Sequence, residues 1–600
     1  MSTVPQRLAA LRSAMEARGI DAYLVPSDDF HMSEYVGEYF KCRKYLTGFT
    51  GSAGTAVVTK TRAALWTDGR YFLQAENQLC GSGFELMKMG EAGVPTIHEF
   101  LKTEMKASQT LGFDGRTVGA KEAQALEKEL EPLQISVTGF CDLVGEIWED
   151  RPALSCEPVM ELPLRWCGES RASKLSRVRE KMAEAGADVF LLCCLDDIAW
   201  LLNIRGNDVH CNPVVLSYFC MTQDKAVLFA NEKAFPPEVL EALGADGVRL
   251  EPYEAVYEYV NREIHAGETV LLSREKTNSN ILKKMAEGVR ILDQDNPTLL
   301  MKAVKNPVEM ENMKKAHIKD GAAVTKFIFW LKKHAGEEGL TELSAAEKLL
   351  EFRRQQENFQ GESFDPIIAY REHGAIVHYS ATEETDVPIR AEGMVLADTG
   401  GQYLEGTTDI TRTIVVGPVT EEEKKYFTAV LKGHLRLAGA KFRYGCTGQN
   451  LDYLAREPLW RMGEDYNHGT GHGVGYFLNV HEGPNGFRWK TVPERKDCAV
   501  FEEGMTTSDE PGYYAEGKFG IRHENLILCR KAEMKNQIQF MCFEPLTMVP
   551  FDLEGIDVSA LQEEEKALLN QYHRNVYEKI GPLLEEEERA WLFEATKPVG

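Results

Sequence analysis

The sequence predicts an α/β protein in which two similar α/β domains precede a third region, residues 301–600. Short apolar segments that fit buried strands alternate with amphipathic helical segments, which is typical of layered α/β domains. A diverged repeat relates two stretches within the first 300 residues. The length of 600 residues also suits several domains of ordinary size.

The composition limits the classes of partner. The chain has 68 Lys and Arg against 93 Asp and Glu, a formal net charge of −25, with 43% hydrophobic residues. This hydrophobic content is sufficient for several cores, so global disorder is excluded. A strongly acidic chain lacks the positive field that nucleic acid or an anionic membrane requires, and we therefore expect neither as a main partner.

The cysteines and the apolar segments indicate a cytoplasmic location. Thirteen cysteines are scattered without a CxxC pair, and Cys193 and Cys194 lie inside an apolar run, so we expect reduced, buried thiols. That run, Val189 to Leu195, is too short to cross a bilayer. The N-terminal segment, with Leu8, Leu11 and Met15 on one side, fits an amphipathic helix rather than a signal peptide.

The repeat in the first 300 residues consists of three pairs of matching segments. In each copy a short buried strand ends in a polar turn, an aromatic-Leu pair precedes a glycine, and a second strand follows. Any two α/β domains share some of this pattern, which is the alternative to a duplication. Polar breaks at Asp150–Ala153 and Asp293–Pro297 predict domains at 1–155, 156–300 and 301–600. The pairs are Asp21–Asp29 with Asp188–Asp197, Tyr45–Gly51 with Trp200–Gly206, and Ala63–Thr67 with Ala226–Ala230.

The third region begins and ends with helical patterns. Asn306-Pro307 predicts the start of a long helix, whose buried face would carry Met310, Met313, Ala316 and Ile318. The tail from Leu561 to Phe593 is helical and rich in glutamate. We expect its runs Glu563–Glu565 and Glu585–Glu588 to be solvated helix faces.

Two carboxylates interrupt apolar strands of the third region. Asp398 lies in Met394–Gly400, and Asp409 lies in a second predicted strand, Thr407–Gly417. The connection has glycine at both ends and is predicted to be a hairpin loop. A carboxylate in an apolar strand costs several kcal/mol unless it is paired or ligates a metal. Two of them side by side require a cation or a shared proton.

Further candidates follow along the chain. His468–Gly475 is too rich in glycine for a helix and predicts a loop or strand edge that holds His472. His481 lies just beyond it. Glu510 and Glu524 are acids in apolar surroundings. His523 is excluded because successive strand residues point to opposite faces.

Together these side chains form an oxygen-rich set that favours Mn²⁺, Co²⁺ or Fe²⁺ over a structural zinc site. The alternative is a set of unconnected acids and solvent-facing histidines. The sequence has neither HExxH nor GxSxG, which excludes the zincin and nucleophile-elbow interpretations.

The motifs around these residues resemble the metal-site motifs of the pita-bread metallopeptidases. The first half resembles the N-terminal domains of one family among them, the cytosolic three-domain Xaa-Pro aminopeptidases (aminopeptidase P). The resemblance implies two creatinase-like α/β domains followed by a pita-bread catalytic domain. The metal-site motifs are Leu396–Gly400, Thr408–Arg412, His468–His472, Asp509–Tyr513 and Gly520–Asn525; those of the first half are Phe49–Ala56, Leu65–Phe72 and Asp197–Gly206.

The resemblance implies a site with two divalent metal ions, of which Mn²⁺ is expected. Asp398 would bind one ion, Asp409 and Glu524 would bridge both, and His472 and Glu510 would complete the second. A bridging hydroxide would attack the N-terminal Xaa-Pro bond of a peptide. Glu510 would be the catalytic proton acceptor.

The resemblance also assigns residues that contact substrate. His378 would stabilise the intermediate or move protons, His481 would position the substrate, and His472 also belongs to the substrate site. Arg70 would reach substrate from the first domain, and His468 lies near the site. A homodimer through the catalytic domain is implied. His523 departs from the family, which commonly has an apolar residue there.

Three other functions use a similar fold. A prolidase-like dipeptidase or another pita-bread aminopeptidase would use the same five ligands, and the duplicated N-terminal half disfavours it. A non-catalytic binding module and a creatine-type amidinohydrolase are disfavoured because all five ligands are present.

Overall fold

A computed structural model of the chain describes residues 2–492 and 497–600. The described chain divides into two compact units, one holding the residues up to Leu162 and Glu169–Thr298, the other holding Pro163–Gly168 and Leu299–Gly600. Within the described ranges, no helix is both long enough and apolar enough to span a membrane. The three-domain division at residues 155 and 300 remains a prediction.

A six-stranded mixed sheet forms the first half of the first unit. Its strands are β1 (Ala22–Val25), β2 (Thr55–Thr59), β3 (Ala63–Thr67), β4 (Glu85–Lys88), β5 (Thr110–Phe113) and β6 (Ser136–Thr138). They lie in the order β4-β3-β2-β1-β5-β6. The pairs β1–β2 and β2–β3 are antiparallel and the other three are parallel.

Six helices accompany this sheet: α1 (Val4–Ala17), α2 (Cys42–Thr47), α3 (Phe72–Gln78), α4 (Ile97–Glu104), α5 (Ala120–Leu130) and α6 (Leu143–Ile147). In α1 the buried residues are Leu8, Leu11 and Met15, which confirms the amphipathic helix predicted for the N-terminal segment.

The second half of the first unit repeats the same topology. Its strands are β7 (Met160–Glu161), β8 (Val189–Leu192), β9 (Ile204–Arg205), β10 (Ser217–Met221), β11 (Ala226–Ala230), β12 (Val248–Pro252), β13 (Thr269–Leu272) and β14 (Arg290–Asp293). The sheet order is β12-β11-β10-β8-β13-β14, and β7 pairs separately with β9. Order and strand directions match the first sheet strand for strand, so the predicted duplication is confirmed.

The next helices are α7 (Leu164–Cys167), α8 (Arg171–Ala185), α9 (Leu195–Leu202), α10 (Pro237–Ala245), α11 (Val256–Glu263), α12 (Ser279–Lys284) and α13 (Pro297–Ala303). The polar turn predicted to end at Asp197 is wrong, because Asp196 and Asp197 lie in the first turn of α9. Carboxylates are favoured there by the helix dipole, and Asp197 also accepts a hydrogen bond of 2.9 Å from Thr298 Oγ1.

The second unit contains four sheets, with orders β15-β18-β19, β16-β17-β20, β21-β28-β27-β24-β22-β23 and β25-β26. Their strands are β15 (Phe359–Glu362), β16 (Ile367–Tyr370), β17 (Met394–Thr399), β18 (Gly401–Tyr403), β19 (Gly406–Thr407), β20 (Ile410–Val415), β21 (Lys441–Arg443), β22 (Gly471–Gly473), β23 (Glu482–Phe487), β24 (Thr506–Asp509), β25 (Gly512–Ala515), β26 (Phe519–Arg522), β27 (Asn525–Lys535) and β28 (Ile538–Pro545).

The long helix predicted at Asn306-Pro307 is confirmed as α14. The Asn306 side chain accepts hydrogen bonds from the backbone of Val308 and Glu309, which caps the helix. Met313 and Ala316 are fully buried, whereas Met310 and Ile318 are only partly buried. The helices of this unit are α14 (Pro307–His334), α15 (Glu342–Arg354), α16 (Glu421–Ala438), α17 (Gly448–Trp460), α18 (Glu563–Ile580) and α19 (Glu586–Ala595).

The solvated face predicted at the start of the tail is partly wrong. Glu563 and Glu564 are exposed, but Glu565 is buried and accepts a hydrogen bond of 2.8 Å from Arg436 Nε. Lys432 lies 3.7 Å from its other oxygen. The buried glutamate therefore ties α18 to α16.

The connection between the two acid-bearing strands differs from the predicted loop. β17 and β20 pair antiparallel, with Asp398 opposite Thr411. Between them, β18 and β19 form a hairpin of their own. Asp409 falls just before β20 rather than inside a strand.

A buried ion pair fixes this connection. Arg353 donates to both oxygens of Asp320, at 2.8 and 3.1 Å, and both side chains are fully buried. Thr408 and Tyr403 donate to the same carboxylate at 2.6 and 2.9 Å, while Arg353 also donates to Thr399 at 3.0 Å. Burial alone raises the pKa of Asp320, but the charge and hydrogen bonds of Arg353 hold it below its usual value. Residues 399–408 are thus held on α14 and α15.

We expect Asp320→Ala to lower the free energy of unfolding by about 3–5 kcal/mol, because it leaves the Arg353 guanidinium buried without a counter-ion. Urea unfolding followed by fluorescence measures the change. Lys333→Ala is the control, since its ion pair with Glu587 is exposed and worth about 1 kcal/mol or less. Equal, small changes in both variants would contradict the assignment.

Candidate metal centre

Three side chains of the second unit converge at strand ends. Asp409, His472 and Glu524 each offer one ligand atom, and these atoms all lie within 4.8 Å of one another. Asp409 precedes β20, His472 is the middle residue of β22, and Glu524 lies between β26 and β27. Asp409 and Glu524 are buried and His472 is half-buried. The structure therefore brings together three of the five predicted ligands in a compact group.

The two remaining predicted ligands adjoin this group. Glu510 follows β24, and its Oε1 atom lies 3.6 Å from His472 Nε2. Asp398, at the end of β17, lies opposite Thr411, whose hydroxyl donates to Glu524 Oε2 at 2.7 Å. All five side chains therefore face one small volume.

The carboxylates of this volume repel one another. Burial raises the pKa of Glu510 to about 7. Burial, followed by the charges of Asp409 and Glu510, raises the pKa of Glu524 well above its usual value. In the described part of the chain, Asp398 Oδ1 and Glu524 Oε1 are buried and accept no hydrogen bond. Buried acceptors without donors, surrounded by like charges, fit a bound cation.

The orientation of His472 suits a metal ligand. Its Nδ1 atom donates to the Gly473 carbonyl at 2.9 Å, so Nε2 faces Asp409 Oδ2 at 3.4 Å. Burial alone lowers the pKa of His472, but Asp409 and Glu510 raise it to about 9. A backbone carbonyl on the remote nitrogen is the usual arrangement of a metal-binding histidine. Four carboxylates and one imidazole form the donor set expected for divalent ions such as Mn²⁺.

A second layer of side chains supports this group, and sequence analysis missed two of its members, Arg522 and Tyr514. Arg522 Nη2 donates to Asp398 Oδ2 at 2.6 Å, and Nη1 donates to the Tyr514 hydroxyl at 2.7 Å. Tyr514 in turn donates to His468 Nε2 at 2.8 Å, since His468 Nδ1 donates to the Gly469 carbonyl. The only signal in the sequence was an arginine two residues before Glu524.

The histidines predicted to contact substrate lie around this group. The His481 ring meets the His472 ring edge-on, with centroids 4.2 Å apart. Burial lowers the pKa of His468 well below its usual value, and the charge of His378 contributes to the shift. His378 therefore lies in the electrostatic neighbourhood of His468.

Arg70 belongs to the first unit. Its guanidinium donates to both oxygens of Asp68, each at 2.8 Å. Its contact with substrate remains a prediction.

His523 lies outside the group, as predicted, but for a different reason. β26 ends at Arg522 and β27 begins at Asn525, so strand alternation does not apply at this position. The His523 ring is buried against Phe427 and Phe551, with centroids 4.3 and 5.6 Å away.

Models of known families match successive parts of the chain. Residues 311–531 match metallopeptidase family M24, and residues 539–599 match the C-terminal region of peptidase M24. Residues 7–151 and 150–309 each match a creatinase/prolidase N-terminal domain.

Similar proteins extend over the whole chain. A protein of Laccaria bicolor named probable Xaa-Pro aminopeptidase P is 39% identical over 99% of this chain and 93% of its own length. Xaa-Pro aminopeptidase 1 of Dictyostelium discoideum is 37% identical over 99% of this chain and 97% of its own length.

A solved structure is similar over the same extent. The X-prolyl aminopeptidase of Caenorhabditis elegans, described as a cytosolic enzyme with a di-nuclear active site, is 35% identical, and the match has a TM-score of 0.94 over 100% of both chains. The predicted fold, two creatinase-like domains followed by a pita-bread domain, is therefore confirmed. With these matches, the chain belongs to metallopeptidase family M24 and, within it, to the Xaa-Pro aminopeptidase P proteins.

Proposed function

We propose that this protein is a dinuclear-metal aminopeptidase that releases the N-terminal residue from peptides with proline at the second position. The observation that carries the proposal is the convergence of three buried carboxylates, the half-buried Glu510 and His472 on one volume. The similar proteins named Xaa-Pro aminopeptidase support the choice of substrate.

The five side chains would hold two divalent ions, and Mn²⁺ is our choice because carboxylate oxygens dominate the donor set. When bound, such a pair supplies a hydroxide at neutral pH and polarises the scissile carbonyl. Asp409 and Glu524, which both belong to the compact group of ligand atoms, would be shared by both ions, as the family resemblance implies.

The chain itself supplies proton transfer and orientation. Glu510, whose Oε1 atom lies 3.6 Å from His472 Nε2, would be the proton acceptor. Its Oε1 atom accepts a hydrogen bond of 3.2 Å from Ser508, which fixes its direction. His378 and His481 would bind the carbonyl and position the peptide, and Arg70 would contact the peptide from the first unit.

We also propose a homodimer through the second unit and a cytoplasmic location. Tyr453, Trp460 and Trp489 form an exposed aromatic group, with ring centroids 5.9 and 6.4 Å apart along the group. Exposed aromatic groups of this kind are enriched at interfaces. The similar Caenorhabditis elegans enzyme is described as cytosolic.

The proposed activity predicts a specific pattern of hydrolysis. After metal removal and return of Mn²⁺, we expect release of Xaa from an Xaa-Pro-Pro tripeptide but not from an Xaa-Ala-Ala tripeptide. Mass spectrometry of the products measures this. Faster cleavage of an Xaa-Pro dipeptide would move the assignment to a prolidase, and no turnover with metal bound would contradict an enzymatic function.

Asp409→Ala and His481→Ala should separate metal binding from substrate positioning. We expect Asp409→Ala to lose activity and most bound metal, because this carboxylate would serve both ions. His481→Ala should keep its metal while its turnover falls. Metal content by plasma mass spectrometry, beside kcat, tests both. Full metal content in Asp409→Ala would refute the ligand assignment.

The Arg522 network predicts a loss of turnover without loss of folding. Arg522→Lys cannot hold Asp398 and Tyr514 together, and supporting residues of a metal site typically contribute at least about tenfold to activity or metal affinity. We therefore expect kcat/KM to fall by about tenfold or more. Arg530→Lys, at a half-exposed arginine of β27, is the matched control. Equal kinetics in both variants would show that the network is dispensable.

A further inference from the structure

Another buried carboxylate of this unit, Glu342, lies outside the metal centre. Glu342 is the first residue of α15, and its side chain is fully buried. It accepts hydrogen bonds from the Tyr370 backbone N–H at 2.7 Å, from His373 Nδ1 at 2.9 Å and from the Tyr379 hydroxyl at 2.7 Å. Neither the proposed ligands nor the residues proposed to contact substrate include Glu342, so its burial requires another explanation.

The three hydrogen-bond donors offset the free-energy cost of burying this carboxylate. An unpaired buried carboxylate costs several kcal/mol, whereas three donors and a positive partner offset that cost. The hydrogen bond to Glu342 raises the pKa of His373, which favours the charged imidazole beside it. The His373 ring also stacks on the Tyr379 ring, with centroids 4.5 Å apart.

All three donors belong to one short segment, residues 370–379, and this segment contains His378. Tyr370 and Tyr379 lie at its two ends, so the hydrogen bonds of Glu342 hold both ends of the segment. Tyr379 further packs in a small apolar cluster with Leu396, two residues before Asp398.

The segment also lies directly on the strand that leads to the metal centre. A Cβ atom at Gly520 would lie 1.7 Å from the Gly374 carbonyl oxygen, so the two backbones are in contact. Gly520 lies in β26, which ends at Arg522. Segment 370–379 therefore contacts both Glu342 and β26.

We propose that Glu342 is a positioning residue, which holds segment 370–379 so that His378 stays directed at the substrate. This inference rests on the proposed function. A histidine acts in catalysis only within hydrogen-bond reach of the reacting group, and a fixed loop supplies that geometry before substrate binds. Glu342 hydrogen-bonds residues of segment 370–379 and would act on the substrate through His378.

A double-mutant cycle on the full-length, Mn²⁺-loaded enzyme tests the proposal. We expect Glu342→Gln to lower kcat about tenfold with KM and metal content nearly unchanged, and His378→Ala to lower kcat about a hundredfold. The double variant should be no slower than His378→Ala, because without the His378 imidazole Glu342 has no catalytic side chain left to position. Effects that multiply in the double variant would overturn the proposal.

A matched control separates positioning from general destabilisation. Glu565→Gln, in α18, also neutralises a buried carboxylate, which Arg436 of α16 binds. This variant should leave kcat within about twofold. If Glu342→Gln does not fold, Tyr379→Phe removes one donor and keeps the carboxylate, with the same expected pattern in the cycle.

Hydrogen exchange distinguishes the two proposals. Peptides covering residues 370–379 should exchange faster in Glu342→Gln or Tyr379→Phe than in the wild type, with the rest of the unit unchanged. Unchanged exchange in that segment would overturn the role of Glu342 even if the enzyme is active. A wild type that cleaves no Xaa-Pro peptide would overturn the proposed function, and with it the assignment of Glu342 as a positioning residue.

Discussion

The mutual repulsion of the carboxylates at the candidate metal centre is the constraint on which the rest of the second unit depends. Two like charges about 4 Å apart repel by several kcal/mol at the effective dielectric of a protein interior. Asp398, Asp409, Glu510 and Glu524 occupy one volume, and burial, together with the charge of Asp409, raises the pKa of Asp398, Glu510 and Glu524. The surrounding fold has to hold these strand ends together against the repulsion, and most of the polar contacts around the group serve that end.

The supporting arginines supply positive charge without occupying all of the ligand oxygens. Arg522 takes one oxygen of Asp398 and leaves the other without a donor. Arg412 is fully buried and donates to the backbone carbonyl of Glu524 at 2.6 Å, to that of Val549 at 2.8 Å and to the Tyr572 hydroxyl at 3.0 Å. Because its donors end on carbonyl groups and a hydroxyl rather than on the Glu524 carboxylate, Arg412 stabilises the acidic group through its charge while the Glu524 side chain stays available to a cation. Tyr572 connects the tail helix α18 to the same contact.

The sequence marked the carboxylates as candidates, because acids in apolar stretches are conspicuous, and the family resemblance assigned them, with His472, to one site. The sequence did not indicate which side chains support the converging residues. Asp398 and Arg522 are 124 residues apart, and an arginine in a strand has many ordinary explanations. Glu342 is equally inconspicuous at a helix start, where acids are common. Glu565 was misinterpreted because a run of three glutamates gives no sign of which one meets Arg436. The repeat, by contrast, could be predicted because buried strands keep their apolar pattern when other positions diverge.

Close backbone packing explains the glycines on either side of His472. A Cβ atom at Gly471 would lie 1.9 Å from the Ser508 carbonyl oxygen, and one at Gly473 would lie 2.2 Å from that of Glu482. The strand that carries His472 therefore fits between β24 and β23 only if its neighbours in sequence have no side chain. The glycine-rich motif exists here for close backbone approach rather than for an unusual backbone conformation, since neither residue has a positive φ. Any larger residue at these positions would push His472 away from Asp409, which would separate the imidazole from the acids whose charges it balances.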